Sequence, residues 1–351
     1  MTTRIYLDHA ATTPILPQAA AAVAEGMACW ANPSSPHAEG RAARRILEDA
    51  RGRIAKALGW DGEVILTSGA SEALAIGLGR AKRTRRLVSA VEHDAVFRAA
   101  PGADVLPIVK GEPDEDALAQ YLAADPPPVV AVQAINSETG TMLLPYASNP
   151  AIAMVRDAGG LVLVDASQAA GKYVLADADM IVVSAHKLGG PPGIGALLLR
   201  DYAMVAPDGG QESGYRGGTE NLPGVLGFAA ALEAGGLECW ATSIDERLRF
   251  KDRLCEAGEV IQPGVQCSHI FAVAHATLLA AAQLIRLDAM GFAVSAGSAC
   301  SSGTLKRSRA LAAFGIPGEV ADRTIRVSLG WSTTTDELDR FADAYAGLGR
   351  R

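Results

Sequence analysis

The sequence has few cysteines, and those it has lack the pattern of a disulfide framework. The five, Cys29, Cys239, Cys255, Cys267 and Cys300, are odd in number and form no closely spaced pair. Small disulfide-rich domains have an even number of cysteines at regular spacings. We therefore expect free thiols and a reducing, cytoplasmic compartment.

Basic charge and long apolar segments are also scarce. The formal net charge is −7, which argues against a surface built to bind nucleic acid directly. The apolar stretch over residues 276–294 is interrupted by Arg286 and Asp288, and the N-terminus reaches Asp8 without a long apolar segment. We expect no membrane span.

The composition favours a folded enzyme-sized protein over a disordered one. The 351 residues are 49% hydrophobic and only 20% charged. A chain of this size can bury one large core or two moderate ones.

Continuous apolar runs alternate with helical segments between residues 63 and 199. Runs without polar alternation are typical of strands that are covered on both faces, so the pattern predicts a mostly parallel sheet with helical crossovers, an α/β fold. The runs are 64–66, 87–88, 105–109, 129–135, 161–164, 181–183 and 196–199.

The pattern changes after a helical stretch at residues 222–234. A long helix from about Thr242, a helix over 276–287, a strand over 324–328 and a terminal helix suggest a smaller α+β domain. We predict a large domain of residues 15–238, and a small domain of residues 1–14 and 239–351 that carries Cys300.

Lys187 is the most informative residue, because it follows the buried apolar run Met180-Ile181-Val182-Val183. Burial lowers the pKa of an amine and makes it a nucleophile toward aldehydes. Asp165 closes the preceding run, 161–164, and could pair with a protonated pyridine nitrogen. A lysine and an aspartate at two strand ends predict a pyridoxal phosphate site.

Two further segments fit a phosphorylated pyridine ring, although each also has a purely structural explanation. Residues 67–72 follow a strand and open a helix, so that Ser71 and backbone N–H groups could bind phosphate; Ser71 could equally be a helix cap. His93 follows the run 87–88 and could stack on the ring, or simply bond to the backbone of its loop.

Neighbours of the aspartate and the lysine extend the same prediction. Gln168 could reach a ring hydroxyl, while Ser184 and His186 could donate to a phosphate. The alternative for Asp165 is the cap of the next segment, and for Lys187 a buried ion pair.

Cys300 and Arg326 are candidates for substrate chemistry. Cys300 lies in a run of small residues, 297–303, where a thiol nucleophile would be accessible. Arg326 interrupts the apolar strand 324–328 and could grip a carboxylate with two hydrogen bonds, or form a structural salt bridge.

Taken in order, these segments resemble the cysteine desulfurases of the NifS and IscS type, within the class V aminotransferase family of pyridoxal-phosphate enzymes. The resemblance extends over nearly the whole chain. It is carried by residues 6–14, 32–37, the phosphate turn at 67–72, Glu92-His93, 165–168, 184–187, 216–221 and 297–303.

The resemblance implies a fold-type I pyridoxal-phosphate enzyme with the following residue roles. Lys187 would bind the cofactor covalently and His93 would stack on its ring. The remaining cofactor contacts would come from Ala70, Ser71, Ser137, Asp165, Gln168, Ser184 and His186, with Thr219 supplied by the partner subunit of a homodimer. Asn136 and Arg326 would bind the substrate.

The implied reaction converts L-cysteine to L-alanine and leaves the sulfur as a persulfide on Cys300. An iron–sulfur scaffold or another sulfur-acceptor protein would receive it, for cluster assembly or thiolation. No resident metal is implied, Cys300 being at most a transient iron–sulfur ligand. Ser137 departs from the family, which has a second asparagine there.

Two alternatives remain open from the sequence. One is a different reaction on the same fold, namely that of a selenocysteine lyase, a sulfinate desulfinase or an aminotransferase. The other is a catalytically silent scaffold for sulfur transfer. The sequence identifies neither the physiological acceptor nor any need for an activator.

Overall fold

The computed structural model describes residues 4–145, 149–297 and 307–349. The strands, in chain order, are β1 (Ile5–Tyr6), β2 (Glu63–Thr67), β3 (Arg86–Ser89), β4 (Asp104–Leu106), β5 (Ile108–Val109), β6 (Glu112–Pro113), β7 (Val129–Gln133), β8 (Leu161–Asp165), β9 (Met180–Ser184), β10 (Gly195–Leu199), β11 (Glu259–Val260), β12 (Ile270–Ala274), β13 (Phe292–Ala293), β14 (Ser295–Ala296) and β15 (Thr324–Ser328).

The α-helices lie between and after these strands. They are α1 (Pro17–Ala28), α2 (Ala38–Ala57), α3 (Ala70–Leu74), α4 (Asp94–Ala99), α5 (Glu115–Leu122), α6 (Pro150–Asp157), α7 (Leu222–Glu233), α8 (Ile244–Ala257), α9 (Ala280–Ala289), α10 (Arg309–Ala313), α11 (Gly318–Ala321) and α12 (Thr335–Gly347). A π-helical segment, Ala75–Gly79, continues α3.

A seven-stranded sheet forms the centre of the molecule, in the order β2-β10-β9-β8-β7-β3-β4. All neighbours are parallel except β10, which runs antiparallel to both β2 and β9. The predicted α/β fold with a mostly parallel sheet is confirmed.

The apolar runs are continuous because both faces of this sheet are buried. In β9, Ile181 and Val183 pack into one hydrophobic cluster, whereas Met180 and Val182 pack into a second cluster on the opposite face. All four are fully buried. Successive side chains of a strand point to opposite faces, so a strand between two helical layers needs apolar residues throughout.

A separate antiparallel sheet follows in the C-terminal part of the chain, in the order β11-β12-β15-β14. Its core is a third cluster that includes Phe250, Val327 and Phe341. The N-terminal strand β1 pairs with β13 and so joins these elements. The domain boundaries given above remain a prediction.

Two elements differ from their predicted extents. The run 105–109 is split at Pro107, because proline has no N–H group to continue a strand ladder. Helix α9 begins at Ala280 instead of 276, because the His275 ring accepts hydrogen bonds from the N–H groups of Thr277 and Leu278 and holds this stretch as a turn.

Cys29, Cys239, Cys255 and Cys267 are free thiols, as predicted. Over the described ranges, every helix is too short or too polar to cross a membrane.

Candidate active site

The carboxyl ends of β7, β8 and β9 form the floor of the candidate site. These strands are adjacent and parallel, with Gln133 paired to Asp165 and Asp165 paired to Val182. Chain segments that leave the carboxyl ends of neighbouring parallel strands emerge at one edge of the sheet, where α/β proteins bind ligands.

One pocket at this edge collects nine of the residues selected from the sequence. They are Ala70, Ser71, His93, Ser137, Asp165, Gln168, Ser184, His186 and Lys187. An adjoining pocket is lined by Asn136 and Arg326 and shares His93, Ser137 and Lys187 with the first. Thr219 lies outside the described lining of both, and Cys300 lies outside the described residues.

Lys187 ends a 3-10 turn, Ala185–Lys187, that directly follows β9. Its Nζ donates a hydrogen bond to the main-chain oxygen of Ala10 at 2.5 Å. Burial lowers the pKa of Lys187 to about 8, and Arg326 adds to this shift while Asp165 opposes it. With this pKa about a tenth of the amine is unprotonated at pH 7, far more than for an exposed lysine.

Asp165 presents one carboxylate oxygen to the pocket. Its Oδ1 accepts hydrogen bonds from the N–H of Ser167 at 2.9 Å and from the Ser167 hydroxyl at 2.6 Å. These two bonds leave Oδ2 available to a protonated ring nitrogen. The structure thus contains the predicted local cap and, among the described residues, a carboxylate oxygen without a partner.

Gln168 and Lys187 converge on a single acceptor. The Gln168 amide is buried and donates to the main-chain oxygen of Ala10 at 2.9 Å, the same oxygen that accepts from Lys187. The N-terminal segment that contains Ala10 therefore closes one side of the pocket.

The phosphate turn joins β2 to α3 and packs closely against β10. A Cβ atom added to Gly195 would lie 2.5 Å from the oxygen of Val183 and 2.8 Å from the Cα of Gly69, so only glycine fits there. The hydroxyls of Ser71 and Ser184 have no hydrogen-bond partner among the described residues. Together with the first N–H groups of α3, they can receive an anion.

His186 completes this part of the pocket in a neutral form. Burial lowers the pKa of His186 to about 4, and Lys187 contributes to the shift. Its Nδ1 lies 3.1 Å from the hydroxyl oxygen of Thr12.

His93 caps helix α4 while its ring is exposed to the pocket. Its Nδ1 accepts a hydrogen bond from the N–H of Ala95 at 3.2 Å, so in the neutral ring the proton is on Nε2. Desolvation within the pocket lowers the pKa of His93 and favours that neutral form. Both interpretations of His93, local cap and site residue, fit the structure.

Arg326 and Asn136 already have partners within the protein. Arg326 is buried on β15; its Nη2 donates to Asp8 at 2.8 Å and its Nη1 to the main-chain oxygen of Ser137 at 3.0 Å. Its Nε has no partner among the described residues. The Asn136 oxygen accepts from the N–H groups of Glu138 and Thr139, which closes a tight turn.

The glycine-rich loop that carries Thr219 is fixed to helix α3. Arg216 donates through Nε to the Glu72 carboxylate at 3.1 Å. Thr219 itself is exposed, three residues further along. This position places it at the surface rather than among the residues of the pocket formed by its own chain.

Sequence reasoning missed Asp8, Glu138 and Lys172. Asp8 holds Arg326, Glu138 accepts a hydrogen bond from Ser308 at 2.5 Å, and Lys172 donates to the main-chain oxygen of Lys187 at 2.9 Å. Asp8 follows a short apolar strand, which is the same signal that identified Asp165. The other two contacts join distant segments and leave no local pattern.

The chemistry of this pocket suits a phosphorylated pyridine aldehyde. It offers an amine with a lowered pKa, a carboxylate oxygen free to bind a ring N–H, an imidazole on the pocket wall, and unpaired hydroxyls beside a helix start. Pyridoxal phosphate has the groups that match each of these.

Comparisons with known proteins show the family of the chain. Residues 5–341 match the family described as Aminotransferase class-V. The chain is 32% identical to a protein of Archaeoglobus fulgidus named cysteine desulfurase IscS 1, over 99% of this chain and 97% of that one. It is 36% identical to an IscS-like cysteine desulfurase of Mycobacterium tuberculosis, over 99% and 96%. A NifS-like protein of Rickettsia africae has a similar fold, with a TM-score of 0.87 at 24% identity, over 99% of this chain and 100% of that one.

Proposed function

Because the chain belongs to the aminotransferase class-V family and, within it, to the cysteine desulfurases, we propose that it is a pyridoxal-phosphate enzyme that converts L-cysteine to L-alanine. The sulfur atom moves to the thiol of Cys300. One cysteine and one enzyme thiol give one alanine and one enzyme persulfide, so atoms and electrons balance without an external oxidant or reductant.

The observation that carries the proposal is the meeting of Lys187, Asp165 and Gln168 in one pocket at the carboxyl ends of β8 and β9. Lys187 would hold the cofactor covalently, Asp165 its ring nitrogen, and Gln168 its ring hydroxyl. Ala70, Ser71, Ser184 and His186 would hold the phosphate. When bound, the cofactor supplies an electron sink for the bonds at the substrate Cα and Cβ.

Lys187 is proposed as the base that takes the proton from the substrate Cα. A catalytic base works best when its pKa is near the working pH. The lowered pKa of about 8 gives Lys187 this property, whereas an exposed lysine would be protonated at neutral pH.

His93 is proposed to lie against the cofactor ring and to hold a proton at Nε2. Its bond from the N–H of Ala95 fixes the ring orientation and leaves Nε2 facing away from the helix cap. A neutral imidazole with a proton on that atom can donate to a substrate or leaving group.

Arg326 and Asn136 are proposed to bind the substrate, with Ser137 beside the cofactor. Arg326 lines the adjoining pocket, and each of its Nη groups carries a second N–H, besides the one bonded to Asp8 or Ser137, that a carboxylate could accept. Asn136 lines the same pocket, and its oxygen also accepts hydrogen bonds from the N–H groups of Glu138 and Thr139, which shapes the turn that presents Ser137.

The proposal also covers the oligomeric state, the cellular location and the sulfur acceptor. We propose a homodimer in which Thr219 reaches the partner's pocket, a cytoplasmic location, and transfer of sulfur to an iron–sulfur scaffold or another acceptor protein. The assignment of Thr219 is supported by its exposed position on a loop that is fixed to Glu72. The free thiols support a reducing compartment.

The test is to incubate the cofactor-loaded protein with L-cysteine, and to measure both alanine and protein-bound sulfane sulfur. We expect equal amounts of both in the first turnover, with the sulfur on Cys300 by peptide mass mapping. C300A should abolish the bound sulfur, while C255A, a matched variant at an exposed cysteine, should not. Alanine formed without sulfur on Cys300 contradicts the proposal.

The same measurement separates the alternatives. A selenocysteine lyase or sulfinate desulfinase would keep its activity toward its own substrate in C300A. A silent scaffold would form no alanine and would show no cofactor trapped on Lys187 after borohydride reduction.

A further inference from the structure

Lys172 is a second amine next to the catalytic lysine, and the proposed reaction gives it no role. It follows the segment 165–168 that carries Asp165 and Gln168, and it lies after the turn at Gly171. Its Nζ donates to the main-chain oxygen of Lys187 at 2.9 Å and to the main-chain oxygen of Gln168 at 3.3 Å. One amine thus ties together the two segments that carry the predicted cofactor ligands.

The main-chain oxygen of Lys187 accepts two hydrogen bonds from side chains. Besides Lys172, the hydroxyl of Thr13 donates to it at 3.3 Å. The side chains of Lys187 and Gln168 both donate, on the other side, to the oxygen of Ala10. The position of the Lys187 side chain is therefore determined by contacts at its main chain and at its amine, and Lys172 provides the main-chain contact that also reaches Gln168.

The surroundings of Lys172 suit this role better than a role in an ion pair. Both of its hydrogen bonds go to neutral carbonyls, and the titratable groups that face it are Lys187, Cys267, His9, His186 and His269. Burial lowers the pKa of Lys172 to about 7, and Lys187 adds to the shift. A neutral amine still has two N–H groups, which is the number of carbonyls that it contacts.

We infer that Lys172 is a positioning residue, which holds Lys187 and Gln168 in the orientation that the cofactor requires. This inference rests on the proposed function. Misplacement of a reacting group by about 1 Å can reduce a rate by about 100-fold, so a residue that never touches the substrate can matter greatly.

The experiment compares the full-length wild type with K172M, K172Q and, as a control at an exposed lysine, K82M. All are loaded with pyridoxal phosphate. The readouts are the visible circular dichroism of the bound cofactor, which reports its orientation in the pocket, and kcat and KM for L-cysteine between pH 6 and 9. Borohydride reduction checks the covalent adduct on Lys187.

We expect K172M to keep the adduct but to lose most of the visible circular dichroism, with kcat reduced about 10-fold or more and a smaller change in KM. K172Q, which keeps two N–H donors without a charge, should recover part of the visible circular dichroism and part of kcat. K82M should match the wild type. If K172M does not fold, K172Q decides, since its dichroism should then lie below that of the wild type.

The inference is wrong if K172M or K172Q matches the wild type in dichroism and in kcat across the pH range. This outcome differs from failure of the proposed function. If the proposed function itself failed, the wild type would carry no adduct on Lys187 or would form no alanine.

Discussion

At the scale of single residues, the site depends on how each side chain is protonated. Lys187 is partly neutral because it is buried, and His93 has its proton on Nε2 because Nδ1 is used as a helix cap. Asp165 keeps one oxygen free because Ser167 uses the other. The states of His93 and Asp165 each follow from a single neighbour, so each can be tested by a single substitution.

Replacing Asp165 by asparagine should weaken catalysis while leaving the fold intact. The carboxylate is expected to hold a proton on the cofactor nitrogen, and an amide cannot do so. Losing a charge-assisted hydrogen bond corresponds to about a 10- to 100-fold loss in kcat/KM. Alanine formation by D165N measures this.

The matched control is S167A, which removes only the hydroxyl that donates to Oδ1. We expect S167A to lose less than D165N. Equal activity of D165N and the wild type would contradict the assigned role of Asp165.

Replacing Arg326 by lysine tests substrate binding against a structural salt bridge. A lysine can keep a contact with Asp8 but loses the planar fork, so KM for L-cysteine should rise about 10-fold or more. The comparison is D8N, which removes the partner and keeps Arg326. If R326K and D8N lose equal stability and both retain the wild-type KM, the salt bridge is the whole function of Arg326.

At the scale of secondary-structure elements, buried polar contacts tie strand ends to the segments around the site. Glu92 is a clear case: its Oε1 accepts from the Ser89 hydroxyl at 2.5 Å and from the N–H of Gln133 at 2.6 Å, so it joins the ends of β3 and β7 next to His93. Its Oε2 is buried and has no partner among the described residues. Burial raises the pKa of Glu92 to about 8, with Asp165 contributing.

This raised pKa predicts a pH-dependent stability. The folded state holds a proton on Glu92 up to about pH 8, whereas an unfolded glutamate releases it near its ordinary value. Between these two values the folded state binds more protons, so the free energy of unfolding falls as pH rises, by about 1 kcal/mol per pH unit from this group.

The substitution E92Q should remove that contribution. Urea unfolding is measured at several pH values from 5 to 8. As pH rises, the free energy of unfolding of E92Q should increase relative to that of the wild type, because glutamine does not titrate. The two proteins should be similar at pH 5, where Glu92 is protonated. A difference in unfolding free energy that stays constant over this range would show that Glu92 is not the source.

At the scale of the whole molecule, the site lies where the seven-stranded sheet meets the N-terminal segment and the second sheet. Ala10 contacts Lys187 from the N-terminal segment, while Arg326 reaches Ser137 from β15. Segments far apart in the chain must therefore assemble before the pocket exists. The proposed homodimer adds Thr219 to this assembly from a second chain.

Subunit complementation tests that proposal. K187A should be inactive, and T219V should bind pyridoxal phosphate more weakly than the wild type. In a mixed dimer, one pocket would combine Lys187 of the T219V subunit with Thr219 of the K187A subunit and would be intact.

Refolding the two variants together should restore roughly a quarter of the wild-type activity at limiting cofactor, since half of randomly formed dimers are mixed and each has one intact pocket. The control is each variant refolded alone. Activity of the mixture equal to the mean of the separate variants would show that Thr219 does not cross to the partner.

Local sequence patterns were sufficient for most strands of the seven-stranded sheet and for the residues that follow them, although the run 105–109 is split at Pro107. A strand buried on both faces needs an unbroken apolar run, so a polar residue at its end stands out, as Lys187 and Asp165 do. Helix starts and helix caps also depend on neighbouring residues, and this made Ser71 and His93 recognisable as candidates. The resemblance to cysteine desulfurases rests on these same segments.

The contacts between segments that are distant in the chain became visible only in the folded molecule. The sequence alone determined which side chains stand at the strand ends, because secondary structure depends on nearby residues. It could not show that Asp8 holds Arg326, that Ala10 accepts from Lys187 and Gln168, or that Lys172 joins the latter two. Such contacts arise from packing across the molecule, and no spacing along the chain encodes them.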